Sequence, residues 1–147
     1  MKEGSLKFSK NKITRQRVIK LRVVIVMILS ILLSKILFSL FGLQRIIKDT
    51  KTLANLFKNK NKISLNEFEI YKIFMRIKNF LKLKSCLKNC IALKIAYSAL
   101  GYQVLIQSGV KLDKYSKLDG HAWIVYDEIP IIEADEEIDG YIKSFTI

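Results

Sequence analysis

The sequence predicts an α+β fold in which hydrophobic helices come first and a small antiparallel sheet follows. Three observations predict it. Up to about residue 100 the apolar residues recur at helical spacing between short polar breaks. Directly after Gly101 the apolar period falls to two. The strand-like runs are joined by turn residues or a polar loop, which suits antiparallel neighbours.

Taken in order, residues 1–22 are basic, with Lys2, Lys7, Lys10, Lys12, Arg15, Arg17, Lys20 and Arg22, and an apolar stretch follows from Val23 to Leu43. That stretch has about the 20 residues that span a bilayer. A cleaved signal peptide fits poorly, because the basic region is too long and no small-residue cleavage site follows. A spanning helix would place Lys35 inside the apolar zone, and basic residues on both flanks give no orientation. The preferred reading is one or two hydrophobic helices that pack on the rest of the protein or lie on a membrane face. Residues 1–62 are thus expected to form a basic, hydrophobic helical region, with the core in residues 63–147.

Asn59 to Lys62 is a polar break, and Ser64-Leu65-Asn66-Glu67 has a capping-box pattern. A helix from about Leu65 to Leu81 is expected there. Ser85 caps a further helix carrying Cys86, Cys90, Leu93, Ala96, Tyr97 and Leu100, and Gly101 stops it. Tyr102 to Gln107 reads as a strand ending at Ser108-Gly109. Lys111 to Asp119 reads as a polar loop, His121 to Tyr126 as a second strand, Asp127-Glu128 as a tight turn and Pro130 to Glu133 as a third strand. The acidic C-terminal segment carries no clear pattern.

A chain of 147 residues, 50% of them hydrophobic, has the size of one domain and excludes general disorder. Its net charge of +13 is unevenly placed: residues 1–99 have a balance of +18 and residues 100–147 one of −5. Such asymmetry suits a membrane surface or an acidic partner, or a solubilising lysine coat. Nucleic acid is not indicated, because no aromatic platform or binding motif accompanies the lysines. The two cysteines lie one helical turn apart, so a disulfide between them would constrain almost nothing. Free thiols point to the cytoplasm. Two cysteines and a single histidine leave the usual metal ligand set unfilled, and no cofactor is implied.

Cys86 is placed in the first turn of a helix, where exposed N–H groups and the dipole favour a thiolate; Lys82, Lys84 and Lys88 act in the same direction. Cys90, one turn deeper, reads as a core residue. His121 follows Gly120 at the head of a strand, and an imidazole there can take a proton from the thiol and return it to a leaving amine. A carboxylate on the next strand would orient the imidazole; Glu133 is preferred, with Asp135 as the alternative. Together these residues have the layout of a Cys-His-acid site.

The runs Cys86-Leu87-Lys88-Asn89-Cys90-Ile91-Ala92-Leu93, Ala99-Leu100-Gly101, Val104-Leu105-Ile106 and Gly120-His121-Ala122-Trp123-Ile124-Val125 resemble the B protein of lasso-peptide biosynthesis in its stand-alone form. The resemblance implies a papain/transglutaminase-like core, with a Cys-bearing helix packed on a small antiparallel sheet. It implies a thiol protease that removes the leader from a ribosomally made precursor peptide. By resemblance Cys86 is the nucleophile and His121 the base. The family's acid, usually Asp, falls on Glu133, a departure that leaves the acid open; Ser is common where this chain has Cys90. The implied partners are the precursor, a separate winged-helix protein that binds the leader, and an ATP-dependent macrolactam synthetase. Trp123 is expected to pack under the site. Two other functions stay open: transglutaminase-like acyl transfer or cleavage in another modified-peptide pathway, and a non-enzymatic basic protein attached to a membrane.

Overall fold

The computed structural model describes residues 3–112, 117–131, 138 and 140–147. Three helices, α1 (Glu3–Leu56), α2 (Glu67–Phe80) and α3 (Cys86–Ala99), precede four strands, β1 (Leu105–Leu112), β2 (Leu118–Tyr126), β3 (Ile129–Ile131) and β4 (Ile142–Thr146). The strands form one antiparallel sheet in the order β3-β2-β1-β4. Helices first and sheet second is the α+β order that the change of period predicts.

Helix α1 is two-faced. Val23, Met27, Ser30, Ile31 and Ser34 are buried, and after them Ile46, Thr50 and Ala54, which recur every four residues. This face packs against α3 and α2. The Ser34 hydroxyl donates to the Ile31 carbonyl at 2.8 Å and Thr50 donates to the Ile46 carbonyl, so neither buried hydroxyl is orphaned. The opposite face exposes Val18, Leu21, Ile25, Leu29, Leu32, Ile36 and Leu40. By length and composition the segment Thr14–Gly42 could cross a membrane. At Gly42 the backbone leaves helical geometry (φ 72°, ψ 167°) and α1 bends into two segments. Both segments enter one core with α2, α3 and the sheet.

The cap of α2 is Asn66, not Ser64. The Asn66 side chain accepts from the Glu69 N–H at 2.7 Å, so the helix begins two residues later than the capping-box pattern suggests. Helix α3 is the central element, buried on every side from Asn89 to Ser98. Its C-terminus closes as expected at Gly101 (φ 86°). The Gly101 N–H donates to the Ser98 carbonyl at 3.1 Å and the Tyr102 N–H to the Tyr97 carbonyl at 2.8 Å. The polar break 59–62 lies across this end, and the Asn59 and Ile63 N–H groups satisfy the Ser98 and Leu100 carbonyls. Lys94, buried in α3, donates to the carbonyls of Val104 (3.0 Å) and Ile147 (2.8 Å), tying the helix to the sheet. Burial lowers the pKa of its ammonium.

In the sheet, β1 starts at Leu105 and continues through Ser108-Gly109 to Leu112, later at both ends than the sequence indicates. The glycine marks a register shift against β4 rather than a strand end. Likewise β2 begins at Leu118, taking in residues read as loop. The Asp127-Glu128 turn is as expected: both residues have positive φ (46° and 67°), the geometry of a two-residue hairpin.

Candidate active site

Cys86 is the first residue of α3, and its thiol is half-buried. Ser85 occupies the N-cap in extended geometry, but its side chain makes no capping hydrogen bond. The first-turn N–H groups are therefore not satisfied by that hydroxyl and remain near the sulfur. His121 lies in β2, directly opposite Gly109 of β1. The packing of α3 on β2 brings the two side chains together, and the Cys86 sulfur is hydrogen-bonded to the His121 imidazole.

That contact is the main reason the Cys86 pKa is lowered from the ordinary thiol value. Burial opposes it, while the backbone N–H groups of Ala122 and Leu87 and the charge of His121 reinforce it. These partners favour the thiolate over the thiol. Cys90 is buried as the sequence suggests, and its S–H donates to the Ala122 carbonyl at 3.3 Å. One residue of β2 is thus held by both cysteines, the Ala122 N–H donating to the Cys86 sulfur and the Ala122 carbonyl accepting from Cys90. Beneath them Tyr71, Phe74 and Leu93 line a small crevice that Cys86 and His121 share.

The His121 ring is held by aromatic neighbours. Trp123, two residues on and so on the same sheet face, stacks on it with centroids 6.1 Å apart and planes 21° apart. Trp123 is buried, in the supporting position expected for it, and its indole N–H has no acceptor among the described residues. Tyr141, just before β4, lies against both rings, 5.8 Å from His121 and 6.2 Å from Trp123. Room for this cluster comes from Gly109: a Cβ there would lie 2.9 Å from the Tyr141 Cβ and 3.0 Å from the Trp123 ring. The Tyr141 hydroxyl donates to the Asp119 carboxylate. Burial first, then Asp119, pushes its pKa up to about 12, so it stays a neutral donor.

Tyr141 and Asp119 carry no role in the sequence reading, since an acidic tail offers no strand pattern. The signal that was present is Gly140-Tyr141 followed by Ile142 and Phe145, a turn residue and apolar residues ahead of a strand. Glu133 and Asp135, the candidate orienting acids, lie outside the described residues.

A family model described as the transglutaminase-like superfamily matches residues 31–146. No curated protein and no solved structure matches the chain.

Proposed function

The chain belongs to the transglutaminase-like superfamily, and on that premise we propose that it is a cysteine peptidase that removes the leader from a ribosomally made precursor peptide during lasso-peptide maturation. The observation that carries the proposal is the hydrogen bond between the Cys86 sulfur and the His121 imidazole at the N-terminus of α3. The leader-removal part rests further on the resemblance of the Cys86 helix and the Gly120-His121-Ala122-Trp123 strand to the lasso-peptide B protein.

In this mechanism the Cys86 thiolate attacks the carbonyl carbon at the leader–core junction, forming a C–S bond and a tetrahedral oxyanion. The Cys86 backbone N–H, at the free end of α3, donates to that oxygen. The His121 imidazolium gives its proton to the leaving amine as the C–N bond breaks, which leaves a thioester. His121, now neutral, takes a proton from water, whose oxygen attacks the thioester. The C–S bond breaks, the acid product leaves and the thiolate–imidazolium pair is restored. Trp123 and Tyr141 hold the imidazole plane, and a carboxylate, Glu133 or failing that Asp135, orients it. Transfer to an amine in place of water is the same chemistry with another acceptor.

Under this reading a separate leader-binding protein presents the precursor, and a synthetase uses the freed amine. The exposed face of α1 rests on the cytoplasmic face of a membrane. The decisive experiment is mass spectrometry of a precursor encoded beside this gene, coexpressed with the chain. The leader is expected to be removed by the natural sequence and retained with Cys86→Ala. Normal processing by that variant would end the proposal.

A further inference from the structure

Beside the thiol lies an open cavity of about 590 Å³ that the reaction above leaves unused. A volume of this size is typical of ligand sites. Four lysines from three elements line it: Lys35 of α1, Lys82 and Lys84 of the α2–α3 loop, and Lys88 of α3. Among the described residues that line it there is no Asp or Glu. The four lysines are exposed, and among the described residues none has a carboxylate within ion-pair distance. Four ammonium groups gathered with no carboxylate from the described residues between them favour an anion.

The lysines stand on a fixed frame. The loop is closed by hydrogen bonds from the Leu81 N–H to the Ile77 carbonyl (2.9 Å) and from the Leu83 N–H to the Lys78 carbonyl (3.0 Å). The Asn89 amide donates to the Leu83 carbonyl at 3.4 Å. Lys88 reaches across the cavity, its ammonium 5.2 Å from the centre of the Phe38 ring.

The cavity also adjoins the nucleophile. Ser85, immediately before Cys86, lines it, and Asn89 lines both it and the crevice beneath the thiol. The cavity and the thiol crevice thus meet at Asn89, one helical turn from Cys86.

We propose that this cavity is a substrate subsite that takes an acidic segment of the peptide next to the scissile bond, its Asp or Glu carboxylates bound by Lys84 and Lys88 with Lys35 and Lys82 behind them. The inference rests on the peptidase reading and adds the class of sequence it selects. A phospholipid phosphate would satisfy the same charges, but the shared wall with the thiol crevice favours the substrate.

The test uses the full chain and a library of quenched fluorescent peptides in which Glu, Gln or Lys occupies each position in turn. Cleavage that depends on Cys86 is expected to be at least about tenfold faster in kcat/KM with Glu than with Gln at one position flanking the cut. Lys84→Glu with Lys88→Glu is expected to reverse the order, so that the Lys peptide becomes the better substrate. Lys58→Ala with Lys60→Ala, before and within the polar break at the far end of α3, should leave the ratio unchanged. Cys86-dependent cleavage without any acidic preference overturns the subsite and leaves the peptidase reading standing. No Cys86-dependent cleavage of any peptide, with the leader-binding protein encoded beside the chain added to the assay, overturns both. A third outcome would assign the cavity to lipid and also overturn the subsite: no acidic preference, with binding to phosphatidylglycerol vesicles over phosphatidylcholine vesicles lost in the Lys84/Lys88 variant.

Discussion

Cys86 owes its character to neighbours that arrive from β2, far along the chain. Because the largest cause of its lowered pKa is the His121 contact, the thiolate persists on the acid side of the ordinary thiol value of 9.0. Reactivity that needs the thiolate is present above the shifted pKa and is lost as pH falls through it. Alkylation by iodoacetamide, followed against pH, is therefore expected to show its acid limb below that value. In His121→Ala the limb should move to higher pH, and peptide cleavage should fall by about 10²–10⁴-fold through loss of the base. Tyr141 separates ring packing from hydroxyl chemistry. Tyr141→Ala removes a wall of the imidazole site and is expected to slow cleavage at least about tenfold, whereas Tyr141→Phe should cost less than about threefold. A reversed order, with Phe as harmful as Ala, would show that the bond to Asp119 matters more than the ring. The meeting of Cys86 and His121 was legible because Cys86 opens a helix and His121 lies on the strand that follows it in space, although β2 starts at Leu118, three residues before the histidine. Tyr141 was not, because its contact depends on how β4 returns beside β1.

The elements explain which boundaries could be read. Gly101 was legible since a left-handed residue after an apolar helix has few alternatives. Its second constraint was not: a Cβ at Gly101 would lie 2.5 Å from the Asn61 carbonyl oxygen, a contact made only when residues 59–62 fold over α3. Gly101→Ala is accordingly expected to destabilise by at least about 2 kcal/mol in urea unfolding, more than the left-handed conformation alone would cost. A loss under about 1 kcal/mol would mean that the 59–62 segment yields. The start of α2 was misread because Ser64 and Asn66 are both capping residues, and only the geometry of the Asn66 side chain decides between them. The sequence pattern ends β1 at Ser108-Gly109 and starts β2 after Gly120, whereas both strands run through their glycines, because a strand glycine signals a bulge as readily as an end.

At the scale of the whole molecule, the two faces of α1 have different partners. Helix α1 gives one face to the core and leaves the other apolar in water, with Leu29 and Ile36 59% and 56% exposed. An unpartnered apolar face of this length calls for a covering surface. Leu29→Lys with Ile36→Lys is expected to abolish binding to anionic vesicles while changing unfolding stability by less than about 0.5 kcal/mol, because neither side chain enters the core. Unchanged vesicle binding would remove α1 as the attachment. Apolar length alone does not separate a spanning helix from a packed one; the four-residue recurrence of Val23, Met27, Ile31 and later Ile46, Thr50, Ala54 marks the face that packs on α3.

The break at Gly42 then fixes an attitude. Residues on either side of it, Ile31 and Ile46, are locked into the same interior, so the elbow cannot swing without opening the core. A bilayer gripping the outer stripe would hold the Cys86–His121 crevice at one set height and tilt, like a tool clamped at its handle, and any ligand would have to approach from a constant direction.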